Sequence, residues 1–218
     1  LSDTDFSITP SMIQIATMMS DKVVRNMTKN GLREVAALGQ NAMQRKKNED
    51  GLTTIDSTSA TQLGSAGAVM SFGLVAAGVS NISGNTTEPG HQPYRFVAHP
   101  FQMKDIYDQF TTPIGTYDIS EGASFRVFKE GFKGMINTAQ AFENGDLSIN
   151  SADDAKAGMF AKEGIVLVEE MRPRMETERK PGTGGGSTIV YHTDSYAYGI
   201  RQNQWVREII SDATAPTS

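Results

Sequence analysis

The segment GMFAKEGIVLVEEMRPRMETERKPGTGGG, residues 158–186, changes character halfway along its length. Residues 159–168 are rich in Ile, Val and Leu and contain almost no turn signal, so they predict a buried strand. From Glu169 onward charge dominates, yet uncharged side chains keep to alternate positions, at Met171, Met175 and Thr177. A proline and a run of glycines then stop the pattern. The alternation predicts a core strand that continues as a charged ribbon.

The ribbon carries charges of both signs on eight residues: Glu169, Glu170, Arg172, Arg174, Glu176, Glu178, Arg179 and Lys180. Charged side chains protect an exposed strand edge from indiscriminate pairing. Complementary charges can also set the register between two subunits, because they contribute specificity more than affinity. From these residues alone, a subunit contact and a solvated sheet face explain the ribbon equally well.

A long amphipathic helix is predicted between residues 20 and 51. Ser20 or Asp21 can cap its start. Apolar or small residues recur at steps of three and four, at Val24, Met27, Gly31, Val35, Leu38 and Ala42, with Leu32, Ala36, Gly39 and Met43 widening the stripe. Basic residues 45–47 suit the negative end of the helix dipole, and residues 48–51 predict its stop. About 28 residues at about 1.5 Å each make a rod of roughly 42 Å, and its glycines indicate that another element packs closely there.

Shorter elements surround this helix. Residues 6–17 predict a strand interrupted by Pro10, and residues 52–66 predict a loop. A helix of small residues is predicted over 68–82. The remaining predictions are a buried strand over 94–99, a helix over 100–110 that begins with Pro100, short strands in 123–128, 134–143 and 146–150, and a strand-rich region over 187–210.

Composition limits the class of protein. A chain of 218 residues with 38% hydrophobic and 21% charged residues can form one large or two small domains with a real core. Its net charge of -5 argues weakly against nucleic-acid binding. There is no cysteine, which removes disulfides, thiolate nucleophiles and thiolate metal ligands. No apolar run approaches the roughly 20 residues that span a bilayer.

The sequence offers little chemistry for catalysis. It has three histidines: His91, His99 and His192. None has a paired metal-ligand spacing. Within one strand His192 and Asp194 share a face while Ser195 points away from it, so a catalytic Ser/His/Asp arrangement is not favoured. The glycine run lacks the Lys-Ser/Thr of a phosphate loop, and Trp205 is predicted to be a core or interface anchor. No catalytic, cofactor-binding or metal-binding residue is predicted.

Four stretches carry a family resemblance: QNAMQRKKNEDGL (40–52), PYRFVAHPFQMKDIYD (93–108), DDAKAGMFAKEGIVLVEEMRPRMETER (153–179) and HTDSYAYGIRQNQWVREIISDATAPTS (192–218). Taken in order, they resemble the major capsid proteins of tailed bacteriophages, which have the Hong Kong 97-type coat fold. The first resembles the end of the family's spine helix. The second resembles the strand, His-Pro step and short helix of its axial domain. The last two resemble the pattern with which the chain returns to the peripheral domain.

The resemblance implies an α+β fold with a long spine helix, a peripheral-domain sheet and a mixed α/β axial domain. It assigns residues 1–19 to the returning strand of an extended loop and 20–63 to the peripheral domain with the spine helix. Residues 64–150 form the axial domain, and 151–218 return to the peripheral domain with long strands. The family's N-terminal arm is absent, and the arm and the outgoing strand would lie upstream of Leu1.

The resemblance also implies a structural function without enzymatic activity or cofactors. Copies would assemble as hexamers and pentamers into an icosahedral shell around phage DNA. Portal and scaffolding or cementing proteins would be its other partners, DNA would be only non-specifically close, and no membrane would be involved. The shell would be assembled in the cytoplasm of the host bacterium and would become part of the virion. The resemblance favours a subunit contact for the ribbon of residues 169–180.

Two alternatives remain. An encapsulin-type compartment would use the same fold to hold a cargo enzyme instead of DNA. A hydrolase that used His192, Asp194 and a serine is the less favoured alternative, because the sequence has no nucleophile-elbow motif.

Overall fold

A computed structural model describes residues 6–26, 31–111, 134–182 and 185–217. Its helices are α1 (Asp21–Asn26), α2 (Gly31–Asp56), α3 (Phe72–Ser83) and α4 (Pro100–Thr111). Its strands are β1 (Ser11–Ser20), β2 (Leu63–Gly64), β3 (Tyr94–Ala98), β4 (Met135–Ile136), β5 (Ala139–Glu143), β6 (Asp154–Phe160), β7 (Ile165–Lys180), β8 (Ser187–Ile200) and β9 (Val206–Asp212). The chain forms two compact units, the first from residues up to 51 with 167–199, the second from residues 52–166 with 200 onward. The predicted assignment of segments to peripheral and axial domains stays a prediction.

The first unit is built on a three-stranded sheet in the order β1-β8-β7. Strand β1 is antiparallel to β8, from the pair Ser11 and Tyr196 to the pair Ser20 and Ser187. Strand β7 is also antiparallel to β8, since Lys180 contacts Ser187 at one end and Glu170 contacts Ser195 near the other. Within the described residues β7 is therefore an edge strand. The prediction of a strand over 6–17 is confirmed only from Ser11 onward.

Helix α2 is longer at its carboxyl end than predicted. It continues to Asp56, so the prediction that residues 48–51 stop it is wrong, and basic residues 45–47 lie in its interior. Tertiary contacts override the weak helix propensity here: Asp50 accepts a hydrogen bond from the Tyr196 hydroxyl at 2.9 Å, and Gly51 packs against Tyr198. Residues 21–26 form the separate assignment α1, and residues 27–30 lie outside the described part of the chain.

The buried face of α2 covers only part of the predicted stripe. Gly31, Gly39 and Met43 are buried, whereas Leu38 is 67% exposed. The reason is the close approach at Gly39, where an added Cβ would overlap the imidazole of His192. The helix rests on the sheet through its smallest side chain, and the larger Leu38 is left outside the contact.

The second unit contains a six-stranded mixed sheet in the order β2-β9-β6-β3-β5-β4. Strand β3 is parallel to β5 and antiparallel to β6, which is antiparallel to β9. Helices α3 and α4 supply apolar side chains to a core whose largest fully buried members include Met70, Ile82, Phe96, Met103, Ile106, Ile136, Met159 and Ile209. The predicted strand over 94–99 and the helix that begins at Pro100 are confirmed.

Helix α3 begins later than predicted, at Phe72, because Ser71 caps it. The Ser71 hydroxyl accepts a hydrogen bond from the Leu74 backbone N–H at 3.2 Å. The strand predicted over 134–143 is divided into two, Met135–Ile136 and Ala139–Glu143, and 146–150 make only a single bridge, from Ile149 to Ala155. The strand predicted over 123–128 lies outside the described residues.

Residues 159–168 are not one strand, and that prediction is wrong. Strand β6 ends at Phe160 in the six-stranded sheet, and β7 begins at Ile165 in the three-stranded sheet. Between them the Gly164 N–H donates to the Ala161 carbonyl at 3.1 Å in a turn. The sequence Ala-Lys-Glu-Gly forms a turn between two apolar runs. Because the two runs have similar composition, the sequence pattern did not show that they belong to separate strands.

The predicted loop over 52–66 is also partly wrong, since its first five residues belong to α2 and Leu63–Gly64 forms β2. Trp205 lies in a short 3-10 helix, Asn203–Trp205, rather than in a strand. It is buried, and its indole N–H donates to the Glu88 carbonyl at 2.9 Å. Its predicted role as a core anchor is confirmed.

Candidate functional site

The two faces of the three-stranded sheet differ in chemistry. Even-numbered residues of β8 face α2, as the contact of His192 with Gly39 shows. Odd-numbered residues of β7 share that face, since Glu169 is hydrogen-bonded to Lys47 of α2. Even-numbered residues of β7 therefore lie on the opposite face, where Glu170 accepts a hydrogen bond from Ser195 at 2.8 Å.

A polar cluster lies between α2 and the sheet within the first unit. The Lys47 ammonium forms a salt bridge with Glu169, lies 3.6 Å from an Asp194 oxygen and sits 4.9 Å above the Tyr196 ring. Burial alone would lower the pKa of Lys47, but the hydrogen bond that its ammonium donates to Glu169 and the charge of Asp194 outweigh burial and raise that pKa. Burial and the hydrogen bond to Asp50 raise the pKa of Tyr196. The cluster fixes the helix to β7 and β8.

The pair His192 and Asp194 is buried between α2 and the sheet. Their side chains are 6% and 1% exposed, and within the described residues His192 Nε2 and Asp194 Oδ1 have no hydrogen-bond partner. Ser195 lies on the opposite face and donates its hydroxyl proton to Glu170. The structure therefore does not place the Ser195 hydroxyl on the same face as His192 and Asp194. Among the described residues no group of three His, Asp or Glu side chains is placed to hold a metal ion.

The structure places the eight charged ribbon residues in two groups. Four have partners elsewhere in the chain: Glu169 with Lys47, Glu170 with Ser195, Glu178 with Tyr191, and Arg179 with Asp21. The others interact along the ribbon or not at all. Arg174 lies 3.4 Å from Glu176 and Lys180 lies 3.9 Å from Glu178, while Arg172 makes no salt bridge in the described part of the chain.

A groove of about 520 Å³ separates the ribbon from α2. Its walls include Ala36 and Met43 of the helix and Pro173 and Met175 of β7. Met175 is more than half exposed there. The groove therefore separates the middle of the ribbon from α2. This part of the ribbon exposes both apolar and charged side chains.

The salt bridge between Lys47 and Glu169 predicts a pH dependence. The hydrogen bond and charge of Lys47 hold the pKa of Glu169 below its ordinary value of 4.5. Because the folded pKa is lower than the unfolded one, the stabilisation is complete above the unfolded pKa and is lost as the pH falls through the folded pKa. Wild type should therefore exceed Glu169→Gln in urea midpoint at about pH 7, and the difference should be smaller at about pH 3.

The matched control for this measurement is Glu176→Gln, because within the described part of the chain its one salt bridge is to the exposed Arg174. Exposed pairs contribute little, so this variant should follow wild type at both pH values. A gap between wild type and Glu169→Gln that is equal at both pH values would contradict the assigned salt bridge.

The sequence pattern predicted the ribbon, but it did not predict that Lys47, Asp50 and Tyr196 form a polar cluster beside it. The spacing of Gly31 and Gly39 was the available signal, since it indicated a close contact along α2. It could not identify the partner, because Lys47 and Glu169 are separated by 122 positions in the chain.

Comparisons with solved structures identify the fold. No protein-family model and no curated protein sequence matches the chain. Among solved structures, the holo-SrpI encapsulin complex of Synechococcus elongatus matches with a TM-score of 0.68 at 10% identity, over 96% of this chain and 76% of that one. A structure from Mycobacterium phage Che8 matches with a TM-score of 0.69 at 14% identity, over 91% and 70% of the two chains. The head structure of Helicobacter pylori bacteriophage KHP40 gives 0.69 at 9% identity, over 94% and 75%.

The fold is therefore the one used by phage capsid subunits and by an encapsulin. The chain has the Hong Kong 97-type α+β capsid fold, as the resemblance of its four stretches predicted. Nowhere in the described residues is there a helix of the length and apolarity needed to cross a membrane.

Proposed function

We propose that this chain is the major capsid protein of a tailed bacteriophage and that its copies form the icosahedral shell of the head. The observation that carries the proposal is the fold match to phage structures over more than nine-tenths of the chain. The proposed shell contains hexamers and pentamers, works with portal and scaffolding or cementing proteins, and is assembled in the cytoplasm of the host bacterium. It requires neither a cofactor nor catalysis.

The net charge of the chain supports a container for DNA rather than a DNA-binding protein. Proteins that grip a duplex do so through Lys and Arg contacts with its phosphates. This chain has 20 basic and 25 acidic residues. An acidic shell lets the packaged duplex move during entry and release, so DNA is enclosed without being bound specifically.

The charged ribbon of β7 is the proposed contact between subunits. It consists of Glu169, Glu170, Arg172, Arg174, Glu176, Glu178, Arg179 and Lys180 on an edge strand. Every residue of β7 from Arg172 to Lys180 is exposed. Polar rims with complementary charges set register and exclude wrong partners.

An encapsulin-type compartment is the second candidate, because the SrpI encapsulin complex matches as well as the phage structures do. In that case the shell would enclose a protein cargo. The two candidates share the subunit fold and differ in what fills the particle.

The test uses the complete protein that contains this chain, expressed in bacteria and sedimented through a sucrose gradient. We expect rapidly sedimenting material that electron microscopy shows to be closed icosahedral shells. A protein that stays monomeric at all concentrations would contradict shell formation.

Particles isolated from the cells that naturally make the protein separate the two candidates. Nuclease-protected DNA and a tail vertex would support the phage capsid. Tailless particles filled with protein would replace that proposal with the encapsulin.

A further inference from the structure

One face of β7 carries an ordered row of charges. By strand alternation its even-numbered residues share the face opposite to Glu169, and four of them in sequence are Arg172, Arg174, Glu176 and Glu178. Of these, Arg174 also borders the groove beside α2. Two positive charges are thus followed by two negative charges on the same face of one strand. Alternate residues of a strand are about 7 Å apart, so the row is about 20 Å long.

This order of charges is complementary to itself when the strand is reversed. If a second β7 runs antiparallel with Met175 opposite Met175, then Arg172 lies opposite Glu178 and Arg174 lies opposite Glu176. The same two pairs form again on the other side of the axis, which gives four ion pairs. A contact of this kind uses one patch on both copies and is related by a two-fold axis.

Other alignments of the same two strands are less favourable. A shift by two residues in one direction places Arg174 opposite Arg174, and a shift in the other places Glu176 opposite Glu176. A parallel alignment in register places every charge opposite its own kind. Like charges directly opposite destabilise a strand pair, so the row selects a single register.

The four charged side chains of this row can contact a second copy of the chain. Within the described residues β7 is an edge strand. Arg174 and Glu176 are 53% and 59% exposed, so their pairing at 3.4 Å within one chain contributes little and can be exchanged. The ribbon is held at its two ends by Lys47 with Glu169 and by Asp21 with Arg179. The row therefore lies on a strand that is held at both ends, and within it Glu178 also accepts a hydrogen bond from the Tyr191 hydroxyl at 3.0 Å.

Pro173 limits backbone hydrogen bonding along the exposed edge of β7. Proline has no backbone N–H, so it weakens a continuous ladder of hydrogen bonds along the edge. Pairing must then depend on side chains, and here those side chains are the charged row.

We propose that β7 of one copy lies beside β7 of a second copy, antiparallel about a two-fold axis at Met175. The pairing rests on the proposed shell function, since it names the partner of the ribbon within the assembly. Arg172 and Arg174 of each copy then face Glu178 and Glu176 of the other.

Charge reversal tests the pairing. The acidic variant carries Arg172→Glu and Arg174→Glu, and the basic variant carries Glu176→Arg and Glu178→Arg. Each has a row of one sign, so each alone should lose about tenfold or more in particle yield while keeping its circular dichroism spectrum. A mixture of the two should recover shells, because an all-acidic row complements an all-basic row. The variant with all four reversals should also recover, since its row is again self-complementary.

Failure of the pairing can be told apart from failure of the proposed function. Wild type that forms no particles overturns the shell function. Wild-type shells together with normal shells from both double variants overturn the pairing alone. Double variants that fail, with a mixture and a fourfold variant that also fail, show that the ribbon meets a different surface and likewise overturn the two-fold pairing.

A cross-link at position 175 tests directly whether two copies meet at the proposed two-fold axis. Since the chain has no cysteine, Met175→Cys introduces a single thiol whose nearest equivalent across the axis is itself. Directly opposite Cβ atoms are about 5 Å apart in a strand pair, so a short bis-maleimide should convert assembled subunits to covalent dimers. Met18→Cys is the control, because Met18 is also exposed but lies on β1. Equal dimer yields from the two variants, or none from Met175→Cys, would overturn the axis.

Discussion

Replacing Gln102 with leucine is expected to lower the free energy of unfolding by about 2–5 kcal/mol. Gln102 is fully buried in α4 and bonds to three different segments of the second unit. Its Nε2 donates to the Ala155 carbonyl and the Ser211 hydroxyl, both at 2.8 Å, and its Oε1 accepts from the His99 N–H at 3.1 Å. Leucine has a similar volume but no polar atom, so these buried groups would lose their partner.

Urea denaturation followed by circular dichroism measures this loss. The matched control is Gln140→Leu, since Gln140 is exposed on β5 of the same unit and should change stability by less than about 0.5 kcal/mol. If Gln102→Leu unfolds at the same urea concentration as the control, then the buried hydrogen bonds do not hold α4 to strands β6 and β9.

Replacing Gly39 with leucine should cost about 1–3 kcal/mol through overpacking. A Cβ at this position would overlap the imidazole of His192, which is buried beneath the helix. Helix propensity works in the opposite direction, because leucine in place of glycine gains roughly 0.8 kcal/mol. A net loss of stability therefore requires that the steric conflict be the larger effect.

Two further variants isolate the cause. Ala42→Leu adds a similar side chain at an exposed position of the same helix and should be nearly neutral. His192→Ala removes the ring that occupies the space, so its combination with Gly39→Leu should be less destabilised than the sum of the single changes. A Gly39→Leu protein as stable as Ala42→Leu would show that the helix can move away from the sheet without cost.

Elements with strong local signals could be predicted from the sequence. The strand over 94–99 and the helix that begins with Pro100 depend on chemistry within a few residues, because proline favours the first helical position and the strand is a short apolar run. The charged ribbon was likewise visible in the alternation after Glu169. The family resemblance supplied the overall fold, which composition and periodicity alone did not.

Features that depend on distant partners could not be predicted. Helix α2 passes through Asp50 and Gly51 because Tyr196 and Tyr198 contact it there. Its buried face depends on His192, whose ring occupies the space that Gly39 leaves. These contact residues are far from α2 in the sequence, so local propensity gave the wrong end of the helix and could not show which part of the stripe is buried.

The candidate site was predicted in composition but not in arrangement. From the sequence pattern, all eight charged residues of β7 were equally good candidates for the contact. The structure separates them, since Glu169 and Arg179 are held by Lys47 and Asp21 of the same chain. The face on which each lies follows from the pairing of β7 with β8, and that register depends on both strands together.

The position of β7 at the edge of its sheet also bears on solubility. An exposed edge strand of 16 residues is a template for indiscriminate strand addition and for fibre formation. Pro173 and the surrounding charges act as gatekeepers against both, because uncharged or misaligned strands gain few hydrogen bonds and bury charge.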